Sequence, residues 1–285
     1  MPIIDCHTHI LPPEIIAQRD RLVAREPWFG LLYANPQQRL AMLPDLLAAL
    51  DAAGIEQAVA FGFAFVDMGL CRLANDYVLE AARVSGGRIL PFAVVNPLAG
   101  EEAIREARRC LEEGARGFGE LMPDGQGFSL EGDALDGLTA LASAYGAPML
   151  LHVNEPVGHS YAGKGAQGPK EAYALAVRHP ENTFLLAHWG GGLPFYELMP
   201  EVKAALARVY YDTAASPYLY DDAIYRHVSG WAASKILFGS DFPLLAPSRY
   251  LKRFRRLNLS AEVEAQILYG NAARLLRVND TPARE

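Results

Sequence analysis

Two histidines one residue apart, His7 and His9, stand in the run Asp5-Cys6-His7-Thr8-His9 at the end of an apolar stretch. On a strand, residues i and i+2 point to one face, so both imidazoles can converge on one point. Such a pair is a bidentate platform for zinc, iron, nickel or copper. His152 closes the run MLLH and His188 closes FLLAH, so four of the seven histidines end apolar segments. Two carboxylates stand at comparable places: Glu120 ends Gly117-Phe118-Gly119-Glu120, and Asp241 follows Phe238-Gly239-Ser240. Taken alone, an H-x-H pair is more often polar loop surface than a ligand pair. Six ionisable side chains brought to one rim are better explained by a metal site.

Eight strand-like segments must do that positioning. They fall at 2–7, 55–63, 89–96, 115–121, 148–154, 183–188, 209–213 and 236–240, each apolar or β-branched and bounded by Gly, Pro or Asn. Helical spacing fills the intervals at 39–53, 73–84, 101–113, 135–145, 170–178, 198–206 and 223–233, with a last helical region from Ser260 to 277. Gly54, Gly86, Gly114 and Gly146 stop several of these, as the left-handed cap position favours. The alternation predicts a single-domain (β/α)8 TIM barrel over 1–285 with the metal site at its C-terminal face. Two connections, 10–38 and 155–169, exceed the usual two to six residues of a βα loop and would emerge on that face; the first has room for a short helix.

The chain has 285 residues, 51% hydrophobic and 21% charged, which excludes a disordered chain. A net charge of −7 argues against nucleic acid and anionic membranes as partners. The one dense basic run, Lys252 to Arg256, is expected to be the solvated side of an amphipathic helix around Phe254. Three scattered cysteines suggest no disulfide framework, and Cys6, alternating with His7, is expected to be a packed thiol. With no apolar stretch of membrane-spanning length and no signal-like start, a cytoplasmic setting is expected. A small-molecule substrate is the expected partner, and the sequence leaves homo-oligomer formation open.

The segments DCHTHILPPE (5–14), HWGGGLPF (188–195), GSDFP (239–243) and GNAARLL (270–276) span nearly the whole chain. Through them the chain resembles the amidohydrolase superfamily, in the branch that includes aminocarboxymuconate-semialdehyde decarboxylase and the resorcylate decarboxylases. The resemblance implies a distorted (β/α)8 barrel holding a divalent metal, with His7, His9, His152 and Asp241 as ligands. It also implies that His188 either binds a second metal or polarises the substrate. Many two-metal members carry a carboxylated lysine on the fourth strand, where this chain has Glu120. That position looks more like the strand-4 glutamate of TatD-type nucleases. One ion is expected, zinc first, with two if Glu120 bridges them; otherwise Glu120 supports a ligand histidine.

The implied chemistry is hydrolysis of an amide, ester or lactone bond in a small anionic molecule. A bound metal can lower the pKa of water to about 7, Asp241 can accept and return a proton, and His188 can stabilise an oxyanion. The alternatives are non-oxidative decarboxylation of an unsaturated or aromatic acid, and a non-catalytic metal-binding barrel. The 155–169 loop contains Gly163-x-Gly165-x-x-Gly168, but about nine residues past its strand, so a dinucleotide site is rejected. His159, Tyr161 and Lys164 in this loop, and Glu14 after the first strand, are candidate substrate contacts. His179 and His227 are expected at helix C-terminal ends, and Asp212 either orients a ligand or caps a loop.

Overall fold

The computed structural model describes residues 1–278; residues 279–285, which follow the last helical region of the sequence, lie outside the described residues. Eight parallel strands form one sheet in sequential order: β1 (Ile4–His9), β2 (Gln57–Phe61), β3 (Ile89–Ala93), β4 (Gly117–Leu121), β5 (Met149–Leu151), β6 (Phe184–Leu186), β7 (Val209–Asp212) and β8 (Ile236–Leu237). The ring closes through Cys6 N–H to the Phe238 carbonyl and His9 N–H to the Phe242 carbonyl, both 2.7 Å. The fold is the expected (β/α)8 barrel.

Helices cover the outer face through stripes of three-and-four spacing. The helix Met68–Val84 buries Cys71, Ala74, Val78 and Ala81 and starts at Asp67, whose carboxylate accepts from the Gly69 and Leu70 amides. That cap extends the helix five residues before the expected start at 73. The helix Pro247–Arg255 buries Tyr250, Leu251 and Phe254 and leaves Lys252 and Arg255 exposed, the solvated basic face anticipated. Ser260 caps the helix Ala261–Ala265 as expected. His179 is the C-cap of the helix Pro169–Arg178, whereas His227 is exposed in the middle of Ala223–Ala232 and meets no helix terminus. Among the described residues no helix is long and apolar enough to cross a membrane.

Two differences bear on the site. β1 extends to His9 rather than stopping at His7, so both histidines lie on the strand itself. The register between β1 and β2 shifts between Asp5 and Thr8. The long connection after β1 carries three short helices, Pro13–Ala17, Arg19–Arg25 and Pro27–Tyr33. Phe29 of the third is fully buried and stacks near Tyr33, Phe63 and Phe65, with centroids 4.7, 5.2 and 5.5 Å away. That aromatic plug fixes the connection over the barrel mouth.

Candidate metal centre

Each of the four rim histidines is held by its outward ring nitrogen. His7 Nδ1 bonds Asp212 Oδ2 at 2.8 Å, and His9 Nδ1 bonds the Gly62 carbonyl at 3.2 Å. His188 Nδ1 bonds the Ala214 carbonyl at 3.0 Å, and His152 Nε2 bonds the Gly163 carbonyl at 3.3 Å. All four partners are acceptors, so each outward nitrogen donates; of the inward nitrogens, His152 Nδ1 also faces an acceptor, Glu120 Oε1 at 2.8 Å, and holds a proton there until a metal takes its place. Inward nitrogens then face one another: His7 Nε2 lies 3.3 Å from His9 Nε2, and His188 Nε2 lies 3.2 Å from His152 Nδ1. Nitrogen pairs at that spacing, flanked by carboxylates, call for positive charge between them, protons in the absence of metal and divalent ions in its presence. The donor set therefore fits divalent metal, and the outward bonds are the supports that fix a ligating imidazole.

The ligand atoms form two triads. His7, His9 and Asp241 make one, and Glu120, His152 and His188 make the other, with the atoms of each within 4.8 Å. Glu120 connects them. Its Oε2 lies 3.5 Å from His7 Nε2 and 3.7 Å from His9 Nε2. Its Oε1 lies 2.8 Å from His152 Nδ1 and 3.7 Å from His188 Nε2. Gly119 makes this placement sterically available: its φ is +114°, and a Cβ there would stand 2.1 Å from the Leu150 carbonyl oxygen. His188 and Asp241 also adopt left-handed backbone, φ 56° and 64°, a conformation uncommon outside glycine that concentrates at functional sites.

Asp212 performs both duties that the sequence left open. Besides holding His7, its Oδ1 accepts the His188 and Ala214 amides at 3.0 and 2.9 Å. Asp5 does similar work across the closure, with Oδ1 accepting the His7 and Ser240 amides at 3.2 and 2.8 Å. Asp212→Asn should weaken metal binding by about 10–100-fold while the barrel stays folded. A competition titration against a chelator checks this.

Without metal, protons occupy the cluster. Burial would raise Glu120, yet His7 and His152 beside it hold its carboxyl well below the usual range. Burial would likewise raise Asp241, but the His9 bond and the His7 and His188 charges hold it down at about 2. Burial disfavours the His188 cation, but Glu120 and Asp241 lift its pKa to about 9. A histidine raised above its unfolded value stabilises the fold fully below that value, and the contribution disappears as pH rises through the folded pKa. Metal-free protein should therefore lose stability between pH 6.5 and about 9, on the order of 3 kcal/mol from His188. Zinc, replacing those protons, should remove most of that dependence. Denaturation midpoints with EDTA and with zinc at the two pH values decide the point; a metal-free protein that gains stability towards pH 9 would contradict it.

The centre opens into a cavity of about 550 Å³, into which His9, Glu120, His152, His188 and Asp241 project. Its walls include Trp28, Tyr33 and Arg39 from the connection after β1, and His159 and Tyr161 from the loop after β5. His159 and Tyr161, the candidate substrate contacts, thus line the cavity. Lys164 is not among the lining residues. Its ammonium bonds the Val157 and His159 carbonyls at 2.6 and 3.1 Å and pairs with Glu155 Oε1 at 3.2 Å. Glu14 is exposed on the short helix Pro13–Ala17 and does not line the cavity. Trp28, Tyr33 and Arg39 were not anticipated; the length of the 10–38 connection was the sequence signal for the first two, while Arg39, read as the start of a helix, precedes the helix that begins at Leu43. Cys6 is buried, as expected of a packed thiol.

A family model described as amidohydrolase matches residues 4–278. The chain belongs to the amidohydrolase family. Its members bind divalent metal, in keeping with the paired triads here, and the chain is accordingly an enzyme of that superfamily. Among solved structures, this amidohydrolase is similar to 5-carboxyvanillate decarboxylase from Sphingomonas paucimobilis, at 17% identity and TM-score 0.78 over 97% of this chain and 99% of that one. It is similar to 2,6-dihydroxybenzoate decarboxylase from Rhizobium at 19% identity and TM-score 0.76, covering 98% and 99%. A third, 5-carboxyvanillate decarboxylase from Novosphingobium aromaticivorans, was solved with manganese and a nitrobenzoic acid; it gives 17% identity and TM-score 0.80 over 97% and 96%. At these identities the likeness is one of fold.

Proposed function

We propose that this amidohydrolase hydrolyses an amide, ester or lactone bond in a small anionic molecule, and that it uses two divalent ions rather than one. The observation carrying the proposal is the Glu120 carboxylate, which turns one oxygen towards each triad. A pair of ions, zinc first, would supply Lewis acidity that polarises a carbonyl and makes water reactive near neutral pH. In this arrangement His188 belongs with Glu120 and His152 as a ligand, and oxyanion stabilisation falls to another group.

Asp241 stays ionised down to a pH of about 2, so at neutral pH its carboxylate can accept a proton from water and return it to the leaving atom. Tyr33 lines the same cavity. Burial, with the Asp241 and Glu120 charges, raises its phenol well above the ordinary value. The hydroxyl therefore remains a donor throughout the working range and can bond the oxygen on which charge develops.

Recognition of an anion falls to Arg39, the one Lys or Arg among the described residues lining the cavity. Gln37 and Gln38 stand beside it in the wall. Trp28 contributes an apolar indole face to the same wall. Arg39→Met should raise KM by about 10–100-fold, the worth of a hydrogen bond to a charged group, and change kcat much less. Comparing a turned-over acid with its neutral methyl ester checks this: the ester should bind wild type and variant alike.

A non-catalytic ion would be enclosed, whereas this centre lines an open cavity. The competing reaction is decarboxylation. Incubating lactones, amides and unsaturated acids in oxygen-18 water and deuterated water separates the two. Hydrolysis places oxygen-18 in the organic product and releases no carbon dioxide. Carbon dioxide release with carbon-bound deuterium and no oxygen-18 would overturn the proposal.

A further inference from the structure

Among the four rim histidines, His152 alone is held from a long surface loop. The other three lean on Asp212 of β7, on Gly62 just past β2 and on Ala214 just past β7. The Gly163 carbonyl that holds His152 Nε2 belongs to the loop after β5, whose outer turn, from Pro156 to Ser160, is exposed. The base of this loop is pinned by side chains: Asp124 accepts the Ala166 and Gln167 amides at 3.0 and 3.2 Å, and Asn154 Oδ1 accepts the Gly165 amide at 2.7 Å. Its outer turn is tied by the Lys164 ammonium, which donates to the Val157 and His159 carbonyls and pairs with Glu155, while the Tyr161 hydroxyl beside it donates to Glu155 Oε2 at 3.1 Å and accepts from Asn154 Nδ2 at 3.2 Å. Gly163 is buried with φ +92°, and a Cβ there would stand 2.9 Å from Leu32 Cδ2. Only glycine brings that carbonyl so close under the connection after β1.

We propose that Lys164 is a positioning residue for the metal centre. By tying the loop's outer turn to its stem, it fixes the Gly163 carbonyl against His152 Nε2, which keeps Nδ1 turned towards Glu120 Oε1 and His188 Nε2, where a metal would take it. The inference rests on the two-ion site above. Because linkage is reciprocal, an ion in the Glu120–His152–His188 triad stabilises this loop conformation as much as the loop stabilises the ion. The cavity wall formed by His159, Tyr161 and Gly163 is thus held more firmly when the centre is loaded.

The test uses zinc alone. Zinc content and affinity are measured for wild type and Lys164→Met by chelator competition, and amide hydrogen exchange of the 155–168 segment is followed in wild type with and without zinc. The expected result is that one of two ions binds about 10–100-fold more weakly in Lys164→Met while the other is unchanged. Zinc should also slow exchange of the loop in wild type, a comparison that needs no variant. Two ions of unchanged affinity in Lys164→Met, or loop exchange indifferent to zinc, would overturn the inference and leave the two-ion site standing. A wild type that binds fewer than two ions overturns both.

Discussion

Glu120→Gln should lower the metal content from about two ions per chain to about one and reduce kcat/KM by roughly 10³-fold or more. Glu120 is 2% exposed and, among the described residues, is the one carboxylate with an oxygen turned to each triad. The amide keeps its shape but replaces one anionic oxygen with an NH₂ that carries no lone pair for an ion. The triad that loses most is Glu120, His152 and His188, since His7, His9 and Asp241 retain a full set. Metal analysis of purified wild type and variant, with a melting curve to show that the barrel persists, is the check. Equal metal content would mean that Glu120 only braces His152.

Asp241→Asn should retain the fold and lower kcat by about 10²–10⁴-fold, the usual worth of a positioned acid or base. Its carboxylate lies 3.6 Å from His7 Nε2 and 3.5 Å from His9 Nε2 and lines the cavity. The substitution therefore removes both a charge from the first triad and the proton acceptor. In wild type Asp241 loses its charge only as pH falls towards about 2, so the acid side of the kcat profile should not report this group above pH 4. Loss of metal on protonation of the imidazoles should set that limb instead. Restoring activity with excess zinc alone in Asp241→Asn would show that the group acts only as a ligand.

The barrel was legible because eight apolar runs separated by three-and-four-spaced helices admit few arrangements, and the rim histidines and carboxylates end those runs. The sequence could not tell bracing from bridging for Glu120, since that depends on where the neighbouring strands set both triads. Lys164 illustrates a different limit. A cation in a glycine-rich loop suggests a ligand contact, but such a loop also leaves backbone carbonyls needing donors, and Val157 and His159 take the ammonium. Tyr33 and Trp28 lie on a connection of short helices without sustained periodicity. Their direction is set by the burial of Phe29 among aromatic rings, a tertiary contact that local patterning does not encode. The end of β1 was misplaced by two residues because the hydrogen bond from His9 N–H to the Phe242 carbonyl, made across the closure, continues the strand.

The central claim, that Glu120 stands between two ions, is tested most directly by anomalous scattering at the zinc edge from crystals grown with excess zinc. The account predicts two peaks, one among His7, His9 and Asp241 and one among His152 and His188, with the Glu120 carboxylate contributing an oxygen to each. A single peak, with Glu120 doing no more than bonding His152, would contradict it.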